Sequence, residues 1–191
     1  MDQADPLQAR GARRRARRSR AGFVLVETMI GAALLAIALS GMLMVIVSFG
    51  ALGTVNRESQ LAQQAAREVL EQIGGMPFAQ VLASYDANPA NDPGGPGTAP
   101  GAGFAVRGLG LRPGDPDGLV GRIEFPTVAG ALREDAVDPG LGLPRDLNSD
   151  AAVDALDHSA DYVLLPLRVR IEWRGKSGDR ALVIEHLLTA R

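Results

Sequence analysis

Residues 20–27 read Arg20-Ala21-Gly22-Phe23-Val24-Leu25-Val26-Glu27. A basic leader stops at a glycine, an apolar run opens at a phenylalanine, and one carboxylate stands five residues into that run. After Glu27 the next ionisable side chain is Arg57. Residues 28–54 are almost wholly Ala, Leu, Ile, Met, Val and Gly, with Ser40 and Ser48 as the polar interruptions. As a helix at about 1.5 Å per residue, this stretch reaches about 40 Å, enough to cross a hydrocarbon core of about 30 Å. A carboxylate at that depth is costly, which makes Glu27 a functional candidate by default.

The leader sets the expected orientation. Residues 1–22 hold seven arginines against Asp2 and Asp5. An arginine cluster beside a first hydrophobic span stays cytoplasmic, which puts the remainder of the chain across the membrane. A secretory signal peptide is the competing reading. It would have a shorter apolar core, with a small-residue cleavage site after it. Here the apolar run is too long and the small residue, Gly22, precedes it. Cleavage there would leave the hydrophobic segment on the mature chain.

The stretch Gly22-Phe23-Val24-Leu25-Val26-Glu27-Thr28-Met29-Ile30 resembles the N-terminal methylation signature of the type IV pilin family, which includes the pseudopilins of type II secretion. The resemblance is specific over about residues 12–75 and looser beyond. It implies a prepilin peptidase that cuts between Gly22 and Phe23, followed by N-methylation of Phe23. It also implies partners: other pilin or pseudopilin subunits, an inner-membrane assembly platform and the lipid bilayer. The expected fold is α+β and pilin-like, one long N-terminal helix packed on a small C-terminal antiparallel sheet. Several major pilins kink this helix with a proline. Here the membrane segment has none before Pro77 and carries Gly31, Gly41, Gly50 and Gly53 instead. That leaves minor pilin and pseudopilin both open.

Glu27 has a physical role on this reading. It lies one helical turn from Phe23, on the same face, where a first-turn carboxylate complements the helix dipole. A freed Phe23 amine would be a cation at the same depth, and pairing would lower the cost of burying both. In the family this carboxylate is thought to meet a neighbouring subunit's amine. The plainer alternative is an anchor helix that tolerates a glutamate near its cytoplasmic end.

Beyond the apolar run, residues 54–73 hold neither Gly nor Pro. Leu61, Ala65, Val69 and Ile73 recur every four residues, the stripe of an amphipathic helix laid on a soluble domain. Gly74-Gly75 and Pro77 end it. The expected segments are a basic leader (1–22), a transmembrane or filament-core helix (23–53), its amphipathic continuation (54–75) and an extracytoplasmic domain (76–191). The placement is a single-pass inner-membrane chain, with the domain in the periplasm or on a surface filament.

The chain has no cysteine, so disulfides and thiolate metal sites are excluded. Its formal charge is −2 over 191 residues. Removing the leader leaves 13 basic and 20 acidic residues. An acidic surface with 4% aromatic content argues against nucleic acid as a partner.

Residues 86–118 carry six prolines and nine glycines, which reads as a flexible surface loop, with 103–107 as a short strand inside it. A second extended candidate is 119–125. The clearest strand alternates Leu167, Val169, Ile171 and Trp173 with Arg168, Arg170, Glu172 and Arg174. Pro166 cannot donate to a ladder, so pairing should begin after it or leave it on an edge. A turn at 175–179 and a partner strand at 180–189 complete a hairpin over 167–189. Trp173 reads as a core aromatic.

A second motif lies at 146–157. Asp146, Asn148, Asp150, Asp154 and Asp157 stand at relative positions 1, 3, 5, 9 and 12, and the Ala152 carbonyl at 7. This is the spacing of an EF-hand loop around a hard cation such as Ca2+, and it resembles the calcium loops of EF-hand and dockerin-type proteins. Ala151 stands where the sharp turn prefers Gly, and Asp157 where Glu usually chelates. Asp161 is a substitute ligand. The alternative is an ion-free acidic loop of side-chain turns.

No metalloprotease, nucleophile-elbow, P-loop or dinucleotide motif occurs, so an enzyme is not expected and no catalytic residue is assigned. His158 reads as an exposed loop residue and His186 as a packed or surface strand residue. Three function classes stand: a filament subunit, a single-span anchored binding module, and an anchored hydrolase lacking a catalytic constellation.

Overall fold

The computed structural model describes the backbone of residues 6–190 and the side chains of 23–49 and 52–190. It divides into two compact units, Met1–Leu52 and Gly53–Arg191. The architecture is α+β.

Helix α1 (Pro6–Gly74) provides the helical segment of each unit. It starts earlier than Phe23, the start expected from the sequence. The leader is mostly alanine and arginine, both good helix formers, and Pro6 suits a first helical position. In the first unit every described side chain from 23 to 49 is exposed. This segment lies in the one helix, among the described residues, that is long and apolar enough to cross a membrane.

In the second unit the buried line of α1 is Ala62, Ala66, Val69 and Ile73. The expected stripe is displaced by part of a turn, since Leu61 and Ala65 are only half-buried. The two alanines bring the backbone close to the core, and the larger side chains flank the contact. After Pro77 comes α2 (Phe78–Tyr85), which sequence reading did not anticipate. It buries Val81, Leu82 and Tyr85. The Tyr162 hydroxyl donates to the Phe78 carbonyl at 3.0 Å, tying the start of α2 to the segment that precedes the last hairpin.

The sheet has four antiparallel strands in the order β1-β2-β5-β6. These are β1 (Gly103–Phe104), β2 (Gly121–Glu124), β5 (Leu164–Gly175) and β6 (Gly178–Thr189). A separate two-stranded ribbon joins β3 (Thr127–Val128) to β4 (Ala131–Leu132). The alternation along β5 holds: Leu167, Val169, Ile171 and Trp173 are buried, while the intervening charged residues reach the surface. Pro166 lies inside β5 opposite Leu187. On the other side β2 pairs with β5 only from Arg168 to Ile171, so Pro166 sits where β5 has a single neighbour.

The Pro/Gly-rich loop is more ordered than its composition implies. Asp86 accepts the Asn88 amide at 2.9 Å, Asp92 the Ala99 amide at 3.1 Å, and Asp115 the Asp117 amide at 3.2 Å. Gly110 also bridges to Arg174. Side-chain turns thus supply the backbone partners that regular structure would.

Candidate functional site

Two groups of functional candidates lie in different units. The first is the apolar stave. Its three hydroxyls all return to their own helix: Thr28 to the Leu25 carbonyl at 2.9 Å, Ser40 to Ala36 and Ser48 to Met44, both at 2.8 Å. Such back-bonding is how a helix hides hydroxyls from an apolar medium. Glu27, one turn from Phe23, has no hydrogen bond or ion pair among the described residues. It is the one polar side chain of 23–49 left without an internal partner. Gly22 lies in the same helix, immediately before Phe23.

The second group is the acidic loop. Its first half folds as three successive side-chain turns. Asp146 accepts the amides of Ser149 at 2.6 Å and Ala151 at 2.8 Å. Asn148 accepts from Asp150 at 3.1 Å, and Asp150 from Ala152 at 2.8 Å. Ser149 and Ala151 take left-handed backbone, with φ of 66° and 70°. Ala151 therefore makes the turn that favours glycine, at the cost of a Cβ in a crowded conformation. The Asn148 amide reaches both Asp150 at 3.2 Å and Asp161 at 3.3 Å, so Asp161 joins this half of the loop.

The second half diverges. Asp157 accepts the Leu132 amide at 3.1 Å and the Ser159 amide at 3.0 Å, which ties it to β4. Asp154 accepts the Leu156 amide at 2.7 Å and lies 3.1 Å from His158 Nε2. The oxygens of Asp146, Asn148 and Asp150, like those of Asp154 and Asp157, already accept hydrogen bonds, so a cation on the EF-hand-spaced set would have to displace these partners.

The residues that organise the loop were not visible in the sequence. Glu134 is 0% exposed. Its Oε1 accepts the amides of Leu147 at 2.6 Å and Asn148 at 3.2 Å, and its Oε2 accepts the Asp154 amide at 3.3 Å. One carboxylate thus holds both halves of the loop. His158 is 3% exposed, not the surface residue expected. Its Nδ1 lies 3.1 Å from Asp161, and its Nε2 is 3.7 Å from Glu134. The only advance notice of His158 was its place beside the acids. Nothing local marked Glu134, because its partners lie 13 to 24 residues away. Glu134, Asp154 and His158 bring donor atoms within 4.8 Å of one another, and this group could hold a metal ion.

The electrostatics follow from these contacts. Burial pulls the His158 pKa down, but hydrogen bonds to Asp154 and Asp161 and the Glu134 charge outweigh it, so the net shift is upward. The Leu156 amide and then His158 hold the Asp154 pKa below the usual carboxylate value, and Ser159 does the same for Asp157. His186 is exposed on β6 and takes no part in the loop.

No protein-family model matches the chain, and neither the curated proteins nor the solved structures contain a match to it.

Proposed function

We propose that this chain is a structural subunit, a minor pilin or a pseudopilin, of a type IV pilus or type II secretion filament. Prepilin peptidase cuts between Gly22 and Phe23, and Phe23 is then methylated. The mature chain waits in the inner membrane, with its sheet domain on the periplasmic side. The assembly platform then moves the apolar stave from lipid into a bundle of other staves. Glu27 sets the register of that exchange by meeting the Phe23 amine of a neighbour. The globular domain sets the choice of partners, and Ca2+ on the loop of Asp146, Asn148, Asp150, Ala152, Asp154 and Asp157 would rigidify it.

One observation carries this reading. From 23 to 49 the helix is exposed and apolar, its hydroxyls are internally bonded, and Glu27 alone lacks a partner. A plain anchor has no use for that carboxylate, whereas a stave pairing with a neighbour's amine does.

The test is the N-terminal mass of the protein purified from membranes that contain its native peptidase. A chain that begins at Phe23, with or without a methyl group, is expected. A chain that begins at Met1 would overturn the filament reading in favour of a single-span anchored binding module.

A further inference from the structure

Two short segments of the second unit are held side by side by their backbones. The Asp135 amide donates to the Asp154 carbonyl at 3.2 Å, and the His158 amide to the Leu132 carbonyl at 2.9 Å. Glu134 lies between the two bonded positions, and its own carbonyl accepts the Arg145 amide at 3.1 Å. The backbone therefore brings Glu134, Asp154 and His158 together, whatever their side chains carry.

The side chains turn three ligand atoms toward one point. His158 Nε2 lies 3.1 Å from Asp154 Oδ1 and 3.7 Å from Glu134 Oε2. One donor atom from each residue falls within 4.8 Å of the other two. A tetrahedral ion with bonds of about 2.0–2.2 Å holds its ligands about 3.3–3.6 Å apart. The two spacings to Nε2 bracket that edge. Glu134 Oε2 is buried, and among the described residues its one hydrogen bond comes from the Asp154 amide, at 3.3 Å. A lone pair is left toward the ring. Asp154 is half-buried and marks the side open to solvent, where a water would complete the coordination.

Charge and tautomer agree with a cation at this point. Glu134, Asp154 and Asp161 surround one imidazole, and Arg133 is bonded to Asp135 instead, at 2.8 Å. A proton on the ring offsets one carboxylate, and a divalent ion offsets two. Asp161 Oδ1 lies 3.1 Å from His158 Nδ1. Donation of Nδ1–H to that carboxylate leaves Nε2 with its lone pair, which is how a carboxylate orients a metal-binding imidazole. The Asn148 side-chain amide is 3.3 Å from the same Nδ1, but its two hydrogens have Asp150 at 3.2 Å and Asp161 at 3.3 Å as acceptors. One imidazole nitrogen with two carboxylates is the ligand class of Zn2+ and its first-row neighbours. Ca2+ takes about six to eight oxygens and has no use for the ring.

We propose that Glu134, Asp154 and His158 form a Zn2+ site, with Asp161 as its positioning carboxylate, which clamps residues 132–135 to residues 154–158. The site lies wholly within the second unit and does not depend on the filament reading. It gives a chain without cysteine a cross-link that disulfides cannot. Asp154 also belongs to the EF-hand-spaced set, so Zn2+ here and Ca2+ there compete for one carboxylate.

The experiment uses the untagged full chain in detergent, stripped with EDTA and titrated with ZnCl2 by calorimetry and thermal melting. One Zn2+ per chain is expected. At free Zn2+ about 100 times Kd, the folding equilibrium should shift about 100-fold toward the native state. His158→Gln and Asp154→Asn should each remove the Zn2+-dependent rise in melting temperature. Asp161→Asn should bind Zn2+ about 10–100-fold more weakly. His186 is the other histidine of the chain and is exposed on β6, so His186→Gln should bind as the parent does. If His158→Gln does not fold, Asp154→Asn, altered at the half-buried ligand, carries the test. A parent chain that binds no Zn2+ overturns the site. So does binding that survives Asp154→Asn, or binding that is lost in His186→Gln. Displacement of Zn2+ by equimolar CaCl2 also overturns it, because Asp154 would then serve the EF-hand-spaced loop.

Discussion

The two units treat a glutamate in opposite ways. Glu27 stands on an exposed apolar helix with no internal partner, whereas Glu134 is fully buried and accepts three backbone amides. A buried carboxylate is tolerated only when its lone pairs are matched, and the sheet domain matches them from within. The apolar helix offers Glu27 no such match among the described residues. The Glu134 carboxylate is thus compensated within its own unit and the Glu27 carboxylate is not.

The largest expected effect breaks this comparison at Glu27. On the filament reading, Glu27→Val should leave the chain in the membrane with an unchanged unfolding midpoint, yet eliminate its incorporation into filaments, measured by shearing and immunoblotting. Normal incorporation would remove the registering role. Glu134→Ala should do the reverse, sparing membrane insertion and weakening the domain. Each orphaned buried amide costs about 1–3 kcal/mol, so the loss should be about 3 kcal/mol or more by denaturant titration of the full chain in detergent. Glu134→Gln keeps one acceptor oxygen and should cost less. Equal stability of Glu134→Ala and the parent would mean that solvent reaches those amides.

A subtler difference concerns pH. His158 has an ordinary value of 6.5 that folding raises. Its contribution is therefore complete below about pH 6.5 and is lost as pH rises through the higher folded value. Asp154, Asp157 and Asp138 go the other way, with folded values below their ordinary 3.8. For Asp138 the leading cause is its hydrogen bond to Arg168. Their contribution is present above about pH 3.8 and is lost as pH falls through the depressed folded values. Thermal melts of the domain should plateau between these limits, and His158→Gln should flatten the alkaline limb. An alkaline limb that survives the substitution would assign it to another group. The smallest effect is expected at Ala151. Its φ of 70° is a glycine conformation, so Ala151→Gly should stabilise by up to about 1 kcal/mol, or raise Ca2+ affinity if the loop binds the ion. A destabilised variant would show that the alanine is not strained.

How much could be read in advance follows the same division. The stave was legible because a long apolar run has few alternatives, and β5 because its alternation is uninterrupted from Leu167 to Trp173. Helix α2 was missed because eight residues directly after Pro77 carry too few turns for a period to show. The displaced stripe on α1 reflects tertiary packing: Ala62 and Ala66 are buried because they are small, a choice that hydrophobic spacing alone does not make. The spacing of the loop acids was visible, but their division between an oxygen-rich half and a histidine-centred half was not. That division depends on Glu134 and His158 meeting across 24 residues.

The hydroxyls of Thr28, Ser40 and Ser48 have one further consequence. Because each is already closed onto its own helix, moving the stave from lipid into a protein bundle would make and break no hydrogen bond along its length. On the filament reading, its sliding profile is nearly smooth, with a single notch at Glu27. A motor pushing such a stave would meet little resistance until that notch engages, so position would be set by one ionic catch and travel by none.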